Sequence, residues 1–444
     1  MRLKSESHNE TPGLSVLCYP HLGTLDNWLP VVNKVNNLLE SHANCMLIIP
    51  DISTVRSFHR DNAVVKISHK IFNTVLIHAY ENIWIEHESV YRSMNWYKNN
   101  HAALRLFVVL KGLVKNKLYY YALNWLFILL RNKLYKKESR IDIKELNRVV
   151  FKDDILFYDI HAEGNSIVLD ILRLFENNYK YSLPHQLAML NAEKKVKPIN
   201  IKNKDNIEVY VYAKFQSKKY NLKYKVDANK IHVVGIPRHD SRWIETIQEE
   251  SPRLPSSFDD DNTIVIFSLH IIPFQQKVET IRNIKKIFID GMNMKVVIKL
   301  HPNEKQEKVY ADKGNKIYED VFGLGNYGLT WVYSDIHVFA LAKGKRLAIC
   351  MHTGVVFDLI AMHVPCVDYV DSPIEFETPS KMKQFVKYGF VEGASSYQEL
   401  CSYTDKWTSD PKKISTSSIN IYNKYFPTLD NISRKIAIEI LNKE

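Results

Sequence analysis

The sequence is poor in the residues that mark several common classes of protein. It has 14 glycines in 444 residues and no low-complexity tract, which excludes fibrous and glycine-rich disordered chains. Its five cysteines are scattered and none forms a CxxC pair, so neither a disulfide framework nor a zinc knuckle is predicted. We therefore expect five reduced thiols in a reducing compartment.

The sequence also lacks a long hydrophobic run. The longest apolar stretch, Leu118 to Leu130, has 13 residues, fewer than the roughly 20 that cross a bilayer. The N-terminal residues MRLKSESHNETPGLSV contain no apolar signal-peptide core. We therefore expect a cytoplasmic protein.

Acidic residues are outnumbered by basic ones, 49 to 60, which gives a net charge of +11 and favours an anionic partner. The excess is concentrated between residues 103 and 140, where nine Lys and Arg residues accompany a single acid among Leu, Phe, Trp and Tyr. This mixture is typical of basic amphipathic helices on an anionic membrane surface. The structural alternative is a core helix pair whose lysines reach into water. No nucleic-acid motif accompanies the patch, so we do not expect a nucleic-acid partner.

Short apolar runs alternate with longer mixed segments, which predicts βαβ units and parallel sheets covered on both faces. A polar, lysine-rich stretch near residues 215–230 divides the predicted strands into two sets. We therefore predict an α/β fold of two Rossmann-like, doubly wound domains that face each other across a cleft. The predicted parts are an N-terminal domain at 1–225 with the basic insertion at about 100–140, a second domain at 226–425, and a C-terminal helix at 426–444 that packs back toward the first domain.

The stretch VVIKLHPNEKQ ends a predicted buried strand on His301, where Pro302 stops the ladder. Ligands of α/β folds bind at the carboxyl ends of the strands, and an imidazole there can donate a hydrogen bond to a phosphate oxygen. The structural alternative is a histidine that caps a backbone carbonyl.

A second strand end carries a turn that suits an anion. A predicted strand ends at Met351, Thr353 and Gly354 form the turn, and a helix begins near Val355. The free backbone N–H groups, the threonine hydroxyl and the helix dipole would all face a phosphate. An ordinary helix cap by Thr353 is the alternative, and the two roles are compatible.

Three candidate general bases lie in the first half of the chain. Asp26 follows the first strand in YPHLGTLDNW, Glu163 ends another strand in YDIHAEGNS, and His185 follows a short strand in SLPHQ. Each could take a proton from a substrate hydroxyl, and each has a structural role as its alternative. The segment VVGIPRHD adds Arg238 near the hinge, with a surface turn as the alternative.

The order GIPRHD, IFSLH, VIKLHPNE and HTGVVFDLIAMHVPCVDY resembles the donor-domain signature of bacterial surface-polysaccharide transferases with the GT-B fold. These include CDP-glycerol glycerophosphotransferase-like proteins and CMP-sugar transferases of the sialyl and Kdo types. The resemblance implies that the second domain binds a CMP- or CDP-linked donor and that the first binds the acceptor. It implies a base at His185 under the first pattern and at Glu163 under the second. The donor-binding positions that it implies are His301, Pro302, Thr353, Gly354, Val355, Asp358 and Arg238.

The resemblance implies a glycosyltransferase or polyol-phosphate transferase that acts on a capsule or lipopolysaccharide intermediate. The acceptor would be lipid-linked, at the inner face of the cytoplasmic membrane. The sequence has no DxD-like metal signature, so we expect no metal and no cofactor besides the nucleotide-activated donor. Two alternatives stay open: a GT-B-like sugar-nucleotide epimerase that needs no acceptor, and a non-enzymatic nucleic-acid-binding protein that the charge alone would explain.

Neutralising the basic segment tests the membrane prediction. Replacement of Lys111, Lys115, Lys117 and Arg131 by glutamine should release the protein from vesicles that contain acidic lipid, because each lost charge removes about 1 kcal/mol of attraction near the surface. Co-sedimentation with acidic and with neutral vesicles measures the effect. Unchanged binding to the acidic vesicles would contradict the prediction.

Overall fold

A computed structural model describes two parallel β-sheets with helices packed on them. The described residues are 12–19, 22–39, 43–50, 62–77, 150, 154–164, 166–184, 206–269, 272, 274–301, 316–371, 384–427 and 431–443. The basic segment at about 100–140 lies outside the described residues, as do His185 and Pro302. Among the described residues, no helix is both long enough and apolar enough to cross a bilayer.

Within the described residues, the first sheet has seven parallel strands in the order β3-β2-β1-β4-β5-β6-β7. The chain therefore builds outward from β1 in one direction and then crosses over to continue from β4 in the other, which is the doubly wound arrangement. The strands are β1 (Leu14–Leu17), β2 (Cys45–Ile49), β3 (Thr74–Ile77), β4 (Ile155–Tyr158), β5 (Lys180–Ser182), β6 (Ile207–Val211) and β7 (Ile231–Val233). The described helices between them are α1 (Leu22–Leu38), α2 (Asn62–Ile71), α3 (Ser166–Leu174) and α4 (Lys214–Tyr224).

Aromatic side chains stabilise the centre of this sheet. Phe157, Tyr181 and Tyr210 lie on adjacent strands and stack at ring-centroid distances of 6.0 and 6.1 Å. Trp28 of α1 covers the row at 4.9 Å from Phe157, and its indole N–H donates to the carbonyl of Tyr158 at 3.0 Å. Because all four rings are buried, this packing fixes α1 on the sheet.

The second sheet repeats the same winding and, in the part of the chain that the structure describes, has six parallel strands in the order β10-β9-β8-β11-β12-β13. Its strands are β8 (Thr263–Phe267), β9 (Lys295–Lys299), β10 (Trp331–Tyr333), β11 (Ala348–Cys350), β12 (Cys366–Tyr369) and β13 (Glu392–Ala394). The accompanying helices are α5 (Ser241–Glu250), α6 (Phe274–Ile284), α7 (Val338–Leu341), α8 (Val356–Ala361), α9 (Gln384–Lys387), α10 (Tyr397–Ser409) and α11 (Pro411–Tyr425). Two doubly wound parallel sheets confirm the predicted fold class. All five cysteines are free thiols.

Two details of the strands differ from the sequence prediction. The run IHVVGI lies within the predicted second domain, 226–425, but it forms β7, which pairs with β6 of the first sheet. The predicted boundary at residue 225 therefore falls between two strands of one sheet. The strand β13 was not predicted because its three residues, Glu392 to Ala394, contain no apolar run. It pairs instead through its backbone with β12 at the edge of the sheet.

The C-terminal helix α12 (Ile432–Leu441) packs on α1. Its approach requires glycine at position 235, because a Cβ there would lie 2.9 Å from the Ile432 side chain and because φ is +89°. The carboxylate of Asp240 accepts hydrogen bonds from the backbone N–H groups of Ile432 and Ser433 at 2.8 and 2.9 Å. Asp240 therefore caps α12 from a distant part of the chain.

The contact of α12 can be tested with two neighbouring isoleucines of that helix. Ile436→Ala removes a fully buried side chain and should lower the free energy of unfolding by about 2–5 kcal/mol. Ile438→Ala is the matched control, since Ile438 is 41% exposed and its replacement should change stability by about 0.5 kcal/mol or less. Urea unfolding followed by circular dichroism measures both, and equal losses would contradict the described packing.

Candidate active site at the strand ends and the junction of the two lobes

The predicted phosphate-binding elements lie on the two strands that flank β8. Phe267 of β8 pairs with Lys299 of β9 on one side and with Cys350 of β11 on the other. His301 and His352 each follow these pairing partners by two residues, so both stand at the carboxyl edge of the sheet. In a doubly wound sheet, ligands bind at this edge beside the switch point, which here lies between β8 and β11.

The turn after β11 has room beside its backbone. Thr353 is buried, whereas Gly354 is exposed. Among the described residues, no atom apart from those of its chain neighbours lies within 4 Å of the place where a Cβ on Gly354 would be. Val355 precedes α8, a helix of only six residues. The backbone at Gly354 could therefore be approached closely by a ligand. His301 is half-buried at the end of β9, on the other side of β8.

A histidine–aspartate pair lies in the same turn. Asp368 is fully buried on β12, and its carboxylate accepts the backbone N–H of His352 at 2.7 Å and the ring nitrogen Nδ1 at 2.9 Å. His352 has φ of +54°, in the left-handed region. The sequence analysis did not select this pair. The available signal was an acid inside the apolar strand CVDY, because a buried carboxylate requires a partner.

A second cluster joins the two lobes through Arg238, which follows β7. Its Nη1 donates to Asp26 of α1 at 2.5 Å, and its Nη2 donates to both carboxylate oxygens of Asp358 on α8 at 2.6 Å. Both carboxylates are buried, and Arg238 is 23% exposed. The structure therefore brings together three of the predicted site residues, one from each of three distant segments.

Two histidines complete this cluster. His239 lies between Asp358, 2.8 Å from Nε2, and the hydroxyl of Tyr422, 2.8 Å from Nδ1. His337 caps α7, with Nδ1 accepting the N–H of Phe339, and its Nε2 lies 3.4 Å from Asp26. His239 follows Arg238 in the segment that was predicted to lie near the hinge, whereas His337 was not selected from the sequence, because only the folded chain brings it to Asp26.

Burial and neighbouring charges shift the pKa values of two members of the cluster, Asp26 and His239. Burial alone would raise the pKa of Asp26, but Arg238 and His337 outweigh it and hold that pKa well below its usual range. Burial lowers the pKa of His239, although Asp358 opposes the change. Asp26 is therefore ionised at neutral pH and is a weak proton acceptor, while one of its oxygens, Oδ1, is buried without a hydrogen-bond partner among the described residues.

Of the other predicted bases, Glu163 contacts Tyr158 of its own lobe, and His185 lies outside the described residues. Glu163 is buried in the first lobe, and its carboxylate accepts a hydrogen bond from the Tyr158 hydroxyl at 2.7 Å. The described chain stops at Pro184, just before His185, and the carbonyl of Pro184 accepts from Nδ2 of Asn27 at 3.1 Å. Within the described ranges, no group of three or more His, Cys, Asp or Glu side chains could hold a metal ion.

The fold is that of the GT-B class, as comparison with solved structures shows. The chain is similar to the UDP-GlcNAc 2-epimerase from Neisseria meningitidis, with a TM-score of 0.51, 11% identity, and coverage of 98% of this chain and 100% of that one. It is similar to MnaA of S. aureus, solved with UDP, with a TM-score of 0.52, 10% identity, and coverage of 97% and 96%. A variant of the wall teichoic acid polymerase TagF gives a TM-score of 0.51 at 9% identity, with coverage of 97% and 88%.

These neighbours confirm the predicted GT-B fold, and identities near 10% show the fold alone. No protein-family model and no curated protein matches the chain.

Removing the guanidinium should disrupt the junction. Arg238→Ala leaves the buried carboxylates of Asp26 and Asp358 unpaired and should lower the free energy of unfolding by roughly 3–5 kcal/mol. Arg238→Lys should lose less, because one ammonium keeps the charge but cannot reach both carboxylates in the same geometry. Arg242→Ala, an exposed arginine of α5, is the control and should stay within about 0.5 kcal/mol of wild type. Denaturant unfolding measures all three, and equal stability of the two alanine variants would contradict the bridging role.

Proposed function

We propose that the protein is a GT-B transferase that moves a sugar or polyol phosphate from a CMP- or CDP-linked donor to a bacterial surface-polysaccharide intermediate. The observation that carries this proposal is the position of His301 and the Thr353–Gly354 turn on the two strands that flank β8. Both elements stand where a doubly wound sheet binds its ligand. The GT-B fold and the motif order GIPRHD, VIKLHPNE and HTGVVFD support it.

The chemistry on the donor side is electrostatic. Negative charge develops on the phosphate of the departing nucleotide, and hydrogen-bond donors already aimed at it lower the barrier. His301, the Thr353 hydroxyl and the backbone N–H groups of Gly354 and Val355 are donors of the required kind. The open space beside Gly354 lets a phosphate approach the backbone.

The contacts of the junction cluster suggest a supporting role for its members. Asp358 lies in the first turn of α8, directly after the Thr353–Gly354 turn, and its carboxylate is occupied by Arg238 and His239. We therefore assign Arg238 and Asp358 to positioning the donor turn. Asp26, a weak base, would hold Arg238, which leaves His185 and Glu163 as candidate bases for the acceptor hydroxyl.

A sugar-nucleotide epimerase is the second candidate. Two similar structures are named as UDP-GlcNAc 2-epimerase or as MnaA with UDP, and each alignment covers 96% or more of both chains. Their TM-scores match that of the TagF polymerase, so the fold does not separate the two activities. An epimerase would use the same cleft and donor phosphate contacts without an acceptor.

Two measurements test the proposal. Thermal unfolding with CMP, CDP, UDP, GDP and their common sugar or glycerol conjugates should reveal a stabilising donor, because a ligand that binds only the native state raises Tm. Incubation of that donor alone, and then with bacterial membranes that contain lipid-linked glycan, separates the candidates. Transfer that requires the membranes supports a transferase, and an isomerised sugar nucleotide from the donor alone supports the epimerase. If no nucleotide changes Tm, the proposal fails.

Replacement of His301 tests the donor side directly. His301→Ala should lower kcat roughly 10²–10³-fold with the donor that the thermal panel identifies, because it removes one donor aimed at the leaving phosphate. His363→Asn is the control, since His363 is exposed in the turn after α8 and lies outside the strand ends. Wild-type turnover by His301→Ala would remove His301 from the mechanism.

A further inference from the structure

We propose that His352 is a second phosphate-binding imidazole, that Asp368 positions it, and that His301 and His352 together clamp a diphosphate across the end of β8. This inference rests on the proposed function and narrows its donor to the nucleoside-diphosphate-linked class. A CDP- or UDP-type donor fits this arrangement, whereas a CMP-type donor carries a single phosphate.

The first step is the way in which Asp368 holds the ring. Its two carboxylate oxygens take the backbone N–H and Nδ1 of His352, at 2.7 and 2.9 Å. A carboxylate at Nδ1 fixes the tautomer and orientation of an imidazole, so that Nε2 is the ring nitrogen through which it contacts a ligand. With Nδ1 donating to Asp368, Nε2 donates to a phosphate oxygen only in the doubly protonated ring, and that hydrogen bond is charge-assisted.

The second step is the backbone at this turn. His352 has φ of +54°, a conformation that few residues other than glycine adopt. Such a backbone persists only where its surroundings enforce it, and here a fully buried acid on the adjacent strand does so. A helix start after β11 does not itself require a histidine in this conformation. The specific pairing therefore points to use of the side chain.

The third step is the distance between the two histidines along the edge of the sheet. β9 and β11 lie on opposite sides of β8, and neighbouring strands are about 4.8 Å apart, so the two strand ends are separated by about 10 Å. His301 and His352 follow their pairing partners by the same two residues. A diphosphate offers anionic oxygens on two phosphorus atoms, one for each ring, whereas a monophosphate offers them on one.

Isothermal titration calorimetry with inorganic pyrophosphate, CDP, UDP, CMP and UMP tests the clamp. The variant is His352→Asn, because asparagine keeps the backbone N–H for Asp368 and tolerates the left-handed conformation while it removes the ring. Asp368→Asn keeps the shape of the positioning residue and removes its charge. His363→Asn is the matched control, since His363 also has positive φ, +60°, but is exposed.

We expect wild type to bind the diphosphates more tightly than the monophosphate of the same base. His352→Asn should weaken binding of pyrophosphate, CDP and UDP roughly tenfold, the loss of one charge-assisted hydrogen bond, and should reduce the preference for diphosphate. Asp368→Asn should fall between wild type and His352→Asn, and the control should bind as wild type does.

Three results would overturn the inference: undiminished diphosphate binding by His352→Asn, a wild-type preference for monophosphates, or an equal loss for diphosphates and monophosphates together with a lower Tm, which marks a purely structural role. Failure of the proposed function looks different. If wild type binds pyrophosphate in a His352-dependent way but no nucleotide, the clamp stands and the nucleotide-donor proposal fails. If wild type binds none of the five probes, both fail.

Discussion

One guanidinium, that of Arg238, joins the two lobes beside the candidate site. Arg238 lies between two buried carboxylates, Asp26 and Asp358, which belong to different lobes. Two such acids can be buried close to each other only because a cation lies between them. Since α1 follows β1 and α8 follows β11, the bridge sets the carboxyl edge of the first sheet against the Thr353–Gly354 turn of the second.

Most residues of the segment GIPRHD make specific contacts at this junction. Gly235 leaves room for α12, Asp240 caps that helix, and between them Arg238 and His239 engage the acid of α8. The segment therefore contacts three helices, α1, α8 and α12, and holds them together. Under the proposed function, a phosphate would contact the nearby ends of β9 and β11, and the junction would hold the turn after β11 in position through Asp358.

The sequence predicts the features that depend on neighbouring residues, and it does not predict contacts between distant segments. Apolar runs between mixed segments identify most strands, and the turns after β9 and β11 follow from where those runs end, which is why His301 and Thr353 could be selected. Sheet membership of β7 could not be read in this way, because its partner β6 is chosen by tertiary packing. Arg238 and Asp26 are 212 residues apart, so no spacing rule connects them. Asp368 was visible as an acid in an apolar strand, but its partner was not.

The position of α12 has a consequence for biosynthesis. α1 is synthesised before most strands of either sheet, while the helix that covers it is made only after both sheets. Until then the apolar flank of α1 is available to chaperones or to aggregation, as incompletely folded domains generally are. The first lobe therefore gains its complete cover only when α12 has been made.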